Sequence, residues 1–201
     1  MSTLVGHKAP DFTVPAVLGN GEIVENFSFS QTIAGKYAVL FFYPLDFTFV
    51  CPSELIAFDH RMEQFKARGV EVVGVSIDSH FTHNAWRNTP INQGGIGPVK
   101  YTLAADMAHS IAKAYGVETP DGTVAYRGTF VIDKTGTVRV ALVNDLPIGR
   151  SVDEILRLVD AVQFTDEHGE VCPAGWNKGD TGMQANPQGV ASYLSSNADK
   201  L

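Results

Sequence analysis

Two cysteines are the residues of this chain best suited to covalent chemistry. Cys51 and Cys172 are the only cysteines among 201 residues. Cys51 follows an apolar run, Tyr37–Tyr43, and directly precedes Pro52, which is typical of a helix start. A thiol on the first turn of a helix lies near unpaired N–H groups and the positive end of the helix dipole, which favour its thiolate. Since the thiolate is the nucleophilic form, one activated thiol and one distant partner favour redox chemistry over architecture.

The elements around Cys51 are predicted to be a strand, a helix and a second strand. Val39–Tyr43 is a continuous apolar run that ends at Pro44, as expected of a buried strand. After Pro52, apolar residues recur at steps of three and four until Gly69, which predicts an amphipathic helix. Val70–Ile77 is a second apolar run. Strand, helix and strand in this order predict a right-handed crossover and a parallel pair.

The rest of the chain predicts further helices, a hairpin and a polar arm. The predicted helices are His80–Arg87, Met107–Tyr115 and Val152–Phe164, the last with Ser151 as its N-cap and Asp153 and Glu154 in its first turn. Gly128–Ile132 and Thr137–Val143 flank a turn sequence and predict a hairpin. From Thr165 onward long apolar runs disappear. We therefore predict an α/β domain over 1–164, with a mixed central sheet and flanking helices, and an arm over 165–201 with a short helix near Gly189–Leu194.

Charge and composition exclude several classes of protein. The net charge is −7, which disfavours nucleic acid or an anionic membrane surface as a partner. No apolar stretch approaches the roughly 20 residues of a membrane span. The first ten residues lack the basic and apolar regions of a secretory signal. With only two cysteines, these features predict a reducing, cytoplasmic location, where disulfides are usually transient and catalytic.

The residues around both cysteines resemble the peroxiredoxin family. The family signature Pro-x-x-x-(Thr/Ser)-x-x-Cys is present as Pro44, Thr48 and Cys51. Val-Cys-Pro occurs at Cys51 and again at Cys172, which is typical of the two-cysteine branch that includes the C subunit of bacterial alkyl hydroperoxide reductase. The similarity covers about residues 3–194. Further matches are Trp86 after Ser79-His80-Phe81, Arg127 in Tyr126-Arg127-Gly128-Thr129-Phe130, and Gly149-Arg150-Ser151.

The resemblance implies both a fold and an activity. It implies a thioredoxin-like fold and a thiol-dependent peroxidase that reduces hydrogen peroxide and organic hydroperoxides to water and alcohols. Cys51 would be the peroxidatic cysteine, and Cys172 of a second subunit would resolve its sulfenic acid as a disulfide. The family's two-cysteine members form antiparallel dimers and rings of five dimers, in which Phe81 and Thr82 would lie at the contact between dimers. The electron donor would be a thioredoxin-type protein or a flavoprotein disulfide reductase, and no cofactor is expected in the chain itself.

Thiol acidity alone does not make a fast peroxidase, so other residues must take part. Lowering the pKa of a thiol raises its thiolate fraction at neutral pH by only about 30-fold, and an acidic thiolate is a weaker nucleophile. The Thr48 hydroxyl both accepts and donates hydrogen bonds and could orient a peroxide. Arg127 keeps its charge and offers fixed donors to the thiolate and the peroxide oxygens. Pro44 limits the backbone ahead of the loop and could shield the site from water.

Two further residues are candidates on the resemblance alone. Glu54 and Arg150 would form the layer that orients Arg127. An acidic residue near a helix start is favourable whatever its role, so a purely structural Glu54 stays an open alternative, and the same holds for Arg150.

A glycine-rich segment is open to two interpretations. Gly94-Gly95-Ile96-Gly97 lacks the form of a dinucleotide-binding loop. It resembles the Gly-Gly-Leu-Gly element of peroxiredoxins that are prone to overoxidation. Those proteins carry Tyr-Phe near the C-terminus, where this chain has Tyr193-Leu194. The half-kept pattern predicts intermediate sensitivity to excess peroxide.

Other functions fit the sequence less well. His80 and His83 could share a helix face, but without further ligands nearby they do not predict a metal site. A thiol–disulfide oxidoreductase would normally carry Cys-x-x-Cys, which is absent. An additional role as an oligomeric chaperone or a peroxide relay stays open. Trp86 and Trp176 are predicted to be packing residues.

Overall fold

The computed structural model describes residues 3–201, which form two compact units. The first extends to Val152, and the second is Asp153–Leu201. The predicted arm, 165–201, lies within the second unit. Among the described residues, no helix is both long and apolar enough to cross a membrane.

A seven-stranded mixed sheet forms the centre of the first unit. Its order is β2-β1-β5-β4-β3-β6-β7, with β3 parallel to β4 and antiparallel to β6, and β4 parallel to β5. The mixed α/β class predicted from the sequence is therefore confirmed. The strands are β1 Thr13–Val17, β2 Ile23–Ser28, β3 Tyr37–Phe42, β4 Val70–Ser76, β5 Thr102–Ala105, β6 Arg127–Ile132 and β7 Val138–Asn144.

Helices accompany the sheet in the first unit and make up much of the second. Those of the first unit are α1 Phe29–Ile33, α2 Cys51–His60, α3 Met62–Ala67, α4 His80–Asn88 and α5 Ser110–Ala114. A 3₁₀ turn, Ile91–Gln93, follows α4. Helix α6, Val152–His168, starts at the boundary between the units, and α7, Pro187–Asn197, with a 3₁₀ turn over Ala198–Lys200, lies in the second unit.

The two strands around Cys51 and their parallel pairing are confirmed, and so are the β6–β7 hairpin, α4 and a helix near the C-terminus. The prediction of one continuous helix between Pro52 and Gly69 is wrong, because Arg61, with φ = −108° and ψ = 6°, separates α2 from α3. The predicted helix over Met107–Tyr115 is too long. His109 has φ = 57°, a left-handed conformation that no α-helix interior contains, so the helix starts only at Ser110. The predicted end of α6 is too early, because the helix continues through the polar residues to His168.

A cluster of aromatic rings fixes α2 against the sheet. Phe41 on β3 stacks on Phe58 of α2, with ring centroids 4.1 Å apart and planes 9° apart. Tyr101 packs its edge against Phe41, and its hydroxyl donates to the carbonyl oxygen of Leu55 at 2.8 Å. All four side chains are buried. Close packing of this kind leaves the helix that begins at Cys51 little freedom to shift on the sheet.

Phe65→Ala should lower the free energy of unfolding by about 3–5 kcal/mol, because it opens a cavity where α3 packs. Phe65 has no exposed surface, and its ring lies 6.1 Å from that of Phe58. Urea denaturation followed by circular dichroism measures the loss. The matched control is Met107→Ala, at a side chain that is 61% exposed, which should change the value by less than about 0.5 kcal/mol. A Phe65→Ala loss no larger than that of the control would contradict this account of the packing.

Candidate active site

Cys51 is the first residue of α2, as predicted, and the loop after β3 leads to it. Its side chain is almost entirely buried, with 1% exposed. Pro52 occupies the first turn, and Val50, at the N-cap, makes no side-chain hydrogen bond to the turn. The backbone N–H groups of Ser53 and Glu54 donate to the carbonyl oxygen of Val50, at 3.1 and 3.4 Å. The positive end of the helix dipole is therefore what this turn offers to a negative charge at the sulfur.

Two side chains from different elements contact the sulfur. The Thr48 hydroxyl, in the loop, lies 3.0 Å from Cys51 Sγ and also donates to the carbonyl oxygen of Leu45 at 2.8 Å. Arg127, the first residue of β6, donates from Nη1 to the same sulfur at 3.3 Å. The structure thus brings together the hydroxyl, the cation and the thiol that the sequence analysis singled out.

Glu54 links Arg127 to Arg150. Its Oε2 accepts from Arg127 Nη1 at 2.7 Å, and its Oε1 accepts from Arg150 Nε at 2.8 Å. Arg150 also donates from Nη1 to the carbonyl oxygens of Phe42 and Gly128, at 2.8 and 2.9 Å. Both guanidinium groups are therefore held at the ends of strands, and Glu54 fixes the direction of the one that reaches the sulfur.

The charges of this cluster leave one cation unmatched. The side chains of Glu54, Arg127 and Arg150 are 2–4% exposed, so water screens them poorly. Burial raises the pKa of Glu54, but the hydrogen bonds and charge of Arg150, together with Arg127, outweigh it and lower the pKa below its usual value. Glu54 is therefore a carboxylate at neutral pH. Two guanidinium groups and one carboxylate carry one net positive charge, which a Cys51 thiolate would neutralise.

Pro44 is buried and lies two residues after the end of β3. It lies at the start of the loop that contains Thr48. Its expected role, limiting the backbone and shielding the site, is consistent with this position and stays a prediction.

Cys172 lies in the second unit, beyond the end of α6. It is partly exposed, and its sulfur lies 3.6 Å from the carbonyl oxygen of Ala161. Both cysteines are free thiols. Burial raises the pKa of the Cys172 thiol, and the positive charge of Arg157 opposes the rise. Paired backbone bonds between Val171 and Met183 hold the segment in place.

The two tryptophans pack in the interior, with 0% of Trp86 and 4% of Trp176 exposed.

The described residues contain no group of three or more His, Cys, Asp and Glu side chains that could hold a metal ion. His83 pairs with Asp46 at 2.8 Å, and His80 lies 3.7 Å from Glu25.

One buried group next to the site was not foreseen. Tyr43, Asp46 and His83 are hydrogen-bonded to one another at the base of the loop that holds Thr48. The only sequence signal was the place of Asp46 inside the Pro44–Cys51 motif. Burial of a polar pair depends on tertiary contacts, so the spacing of residues does not reveal it.

Comparison with known proteins agrees with this geometry. The AhpC/TSA family matches residues 5–141, and the C-terminal domain of 1-Cys peroxiredoxin matches residues 161–196. The chain belongs to the AhpC/TSA family. Alkyl hydroperoxide reductase C of Helicobacter pylori is 54% identical over 198 residues, which cover 98% of this chain and 100% of the relative. Peroxiredoxin-2 of Mus musculus is 53% identical over 191 residues, or 95% of each chain.

The same family appears among solved structures. The reduced 2-Cys peroxiredoxin of Plasmodium vivax superposes with a TM-score of 0.93 at 49% identity, covering 96% of this chain and 100% of that one. These matches confirm the resemblance to peroxiredoxins, the thioredoxin-like fold and the thiol-dependent peroxidase activity predicted from the sequence. Membership in this family implies a hydroperoxide substrate and a reductant that restores the thiols.

Glu54→Gln should lower the free energy of unfolding at pH 7 by about 3–5 kcal/mol, because it leaves two buried cations without a carboxylate. The native pKa of Glu54 is lowered, so its contribution to stability is present above the unfolded-state pKa and is lost as pH falls through the native one. The difference between the variant and the unmodified protein should therefore shrink in acid. Urea titrations at pH 7 and in increasingly acidic buffer measure this difference in the free energy of unfolding. A difference that grows as the pH falls would contradict the assignment of Glu54 as a carboxylate.

Proposed function

We propose that Cys51 is the peroxidatic cysteine, which reduces hydrogen peroxide and small organic hydroperoxides to water and alcohols. The observation that carries this proposal is the convergence of Thr48 Oγ1 and Arg127 Nη1 on its buried sulfur, at 3.0 and 3.3 Å, where a helix begins. A nucleophile, a hydroxyl and a permanent cation are then adjacent, and a peroxide bound beside the sulfur would contact all three.

The proposed reaction moves one negative charge from sulfur to oxygen. The Cys51 thiolate attacks one peroxide oxygen, the O–O bond breaks, and the sulfur becomes a sulfenic acid. The other oxygen leaves as hydroxide or alkoxide and takes up a proton to give water or alcohol. Thr48, while it donates to the Leu45 carbonyl, has a lone pair that can accept a hydrogen bond from the peroxide hydroxyl. Arg127 stabilises the charge that develops on the leaving oxygen.

The second step is proposed to convert the sulfenic acid into a disulfide through Cys172, and an external reductant then returns both cysteines to thiols. The Cys172 thiol of a second subunit attacks the sulfenic sulfur, water leaves, and an intersubunit disulfide forms. Because the Cys51 sulfur is buried, the first turn of α2 must unwind for this attack. The absence of a side-chain bond at Val50 and the 98% exposure of Phe49 support such an opening, since poorly tied helix ends open at low cost.

The proposed functional organisation follows from these two roles. Residues 1–164 would form the peroxidase domain, and residues 165–201 the arm that carries the resolving cysteine. We propose a homodimer that assembles further into a decamer of five dimers, and a cytoplasmic location in which reductants are abundant. Thioredoxin and a flavoprotein disulfide reductase are both proposed donors, and turnover assays with each one separately distinguish between them.

Replacing each cysteine tests the two roles. Cys51→Ser should abolish peroxide consumption, because serine cannot form the sulfenic acid. Cys172→Ser should consume one equivalent of peroxide per subunit and then stop, without forming the intersubunit disulfide. Peroxide assays and non-reducing gels measure these outcomes. An oxidised dimer band in Cys172→Ser would show that another group resolves the sulfenic acid.

Replacing Arg157 tests the electrostatics of the resolving thiol. The charge of Arg157 holds down the pKa of Cys172, so Arg157→Gln should raise that pKa further and slow disulfide formation at neutral pH. The rates of disulfide formation in the variant and the unmodified protein should become equal at alkaline pH, where Cys172 is ionised in both proteins. Stopped-flow tryptophan fluorescence measures the rate, and Lys178→Gln, which changes another cation of the same unit, is the control. Superimposable pH profiles for Arg157→Gln and the unmodified protein would contradict this role.

A further inference from the structure

A buried polar network supports the loop that carries Thr48. The Asp46 carboxyl accepts from the Tyr43 hydroxyl at 2.8 Å and pairs with His83 Nδ1 at 2.8 Å. The side chains of Asp46 and His83 have no exposed surface, and Tyr43 has none either. The backbone N–H of Asp46 donates to Asp78 Oδ2 at 2.9 Å, and Ser76 donates to the same oxygen at 2.7 Å. Asp46 is thus held through both its side chain and its backbone.

The hydrogen bonds of this network are complete. Nε2 of His83 lies 3.3 Å from the carbonyl oxygen of Ala104, and both carboxyl oxygens of Asp46 have partners. Burial raises the pKa of Asp46, and the hydrogen bond and charge of His83 oppose the rise. Burial and the nearby Asp46 raise the pKa of Tyr43 well above its usual value, so its hydroxyl stays a donor. A satisfied buried network of this kind fixes its members in one arrangement.

The network reaches Thr48 through a single peptide group. The peptide that joins Leu45 to Asp46 presents its N–H to Asp78 and its carbonyl oxygen to the Thr48 hydroxyl. Because a peptide group is planar and rigid, fixing the N–H also fixes the direction of the carbonyl. That carbonyl in turn sets the rotamer of the hydroxyl that lies 3.0 Å from the Cys51 sulfur.

The intervening residue adds a second constraint. Phe47 has φ = 53°, a left-handed conformation that costs a non-glycine residue about 1–3 kcal/mol and persists only where the surrounding structure imposes it. Its ring packs on that of the buried Trp86, with centroids 5.7 Å apart. The chain therefore turns sharply between the anchored Asp46 and Thr48, and the anchor keeps the turn in place.

We propose that Asp46, held by Tyr43 and His83, is a positioning residue of the peroxidase reaction that directs the Thr48 hydroxyl toward the bound peroxide. The described hydrogen bonds of Asp46 go to Tyr43, His83 and Asp78, and none goes to the sulfur. Asp46 therefore acts through the Leu45–Asp46 peptide. The inference rests on the proposed role of Cys51. A network that only stabilised the fold would lack the dependence on Thr48 that the following experiment measures.

The decisive variant is Asp46→Ala in a Cys172→Ser background. Its rate constant for reaction with hydrogen peroxide should fall about 10- to 100-fold, because a small misplacement of an orienting group costs this much. Alkylation of Cys51 by iodoacetamide does not need an oriented peroxide and should change by no more than about twofold. Asp46→Asn retains an acceptor for Tyr43 and offers an amide donor to Nδ1 of a neutral His83, whose Nε2 can donate to the Ala104 carbonyl, so it should restore most of the peroxide rate. Stopped-flow fluorescence and timed alkylation measure the two rates.

Coupling to Thr48 separates positioning from general support of the fold. In a Thr48→Val background, Asp46→Ala should cause no further loss beyond about twofold, because the hydroxyl that it orients is gone. Full additivity of the two losses, or a parallel fall in peroxide reaction and alkylation, would overturn the proposal. A Cys51→Ser protein that still consumed peroxide would instead overturn the proposed function, so the two failures are distinguishable.

Two more variants keep the test valid if Asp46→Ala folds poorly. Tyr43→Phe removes one hydrogen bond without opening a cavity and should lower the peroxide rate about fivefold, with alkylation unchanged. Asp133→Ala is the matched control, since Asp133 is 7% exposed against 6% for Asp46 and is hydrogen-bonded within the turn between β6 and β7. It should lower stability and leave the peroxide rate constant unchanged. A Tyr43→Phe rate equal to that of the unmodified protein would count against the proposal.

Discussion

The charge balance among Arg127, Arg150 and Glu54 is the constraint on which the site depends. In water two cations and one anion would interact weakly, but these groups are almost fully buried, where each unmatched charge is costly. A thiolate at Cys51, as proposed, would complete the balance, and the hydrogen bond from Arg127 at 3.3 Å would give it a fixed partner. In the proposed mechanism, the same charges would therefore favour the reactive form of the sulfur and stabilise the cluster.

The sheet accounts for how residues so distant in sequence meet at one sulfur. Arg127 begins β6, which pairs with β3, and Cys51 follows β3 through the loop. Arg150 donates to the carbonyl oxygens of Phe42 and Gly128, where β3 ends and β6 begins. Its guanidinium also lies 5.1 Å from the centre of the Phe41 ring. Displacing any one of these elements would shift the donors around the sulfur, so the geometry of the site depends on the intact fold.

Sequence patterns predicted what depends on local spacing and missed what depends on tertiary contact. The apolar run of β3 and the three- and four-residue steps of α2 placed Cys51 at a helix start, because burial imposes these periods. Arg127 and Arg150 came only from family resemblance. The short N-terminal strands β1 and β2 were missed, since their pattern is half-exposed and weak. The pairing of Asp46 with His83 was missed because nothing in a sequence shows which polar residues a fold will enclose.

The single unmatched cation has a consequence for the timing of the proposed cycle. A sulfenic acid is neutral, so once the sulfur has given its charge to the departing oxygen, the closed pocket again encloses an excess positive charge. Hydration relieves that excess, and water reaches Arg127 most readily if the first turn of α2 loosens. Oxidation would in this way weaken the electrostatic interactions that favoured the thiolate. The first turn of α2 would then open only after the peroxide has been consumed.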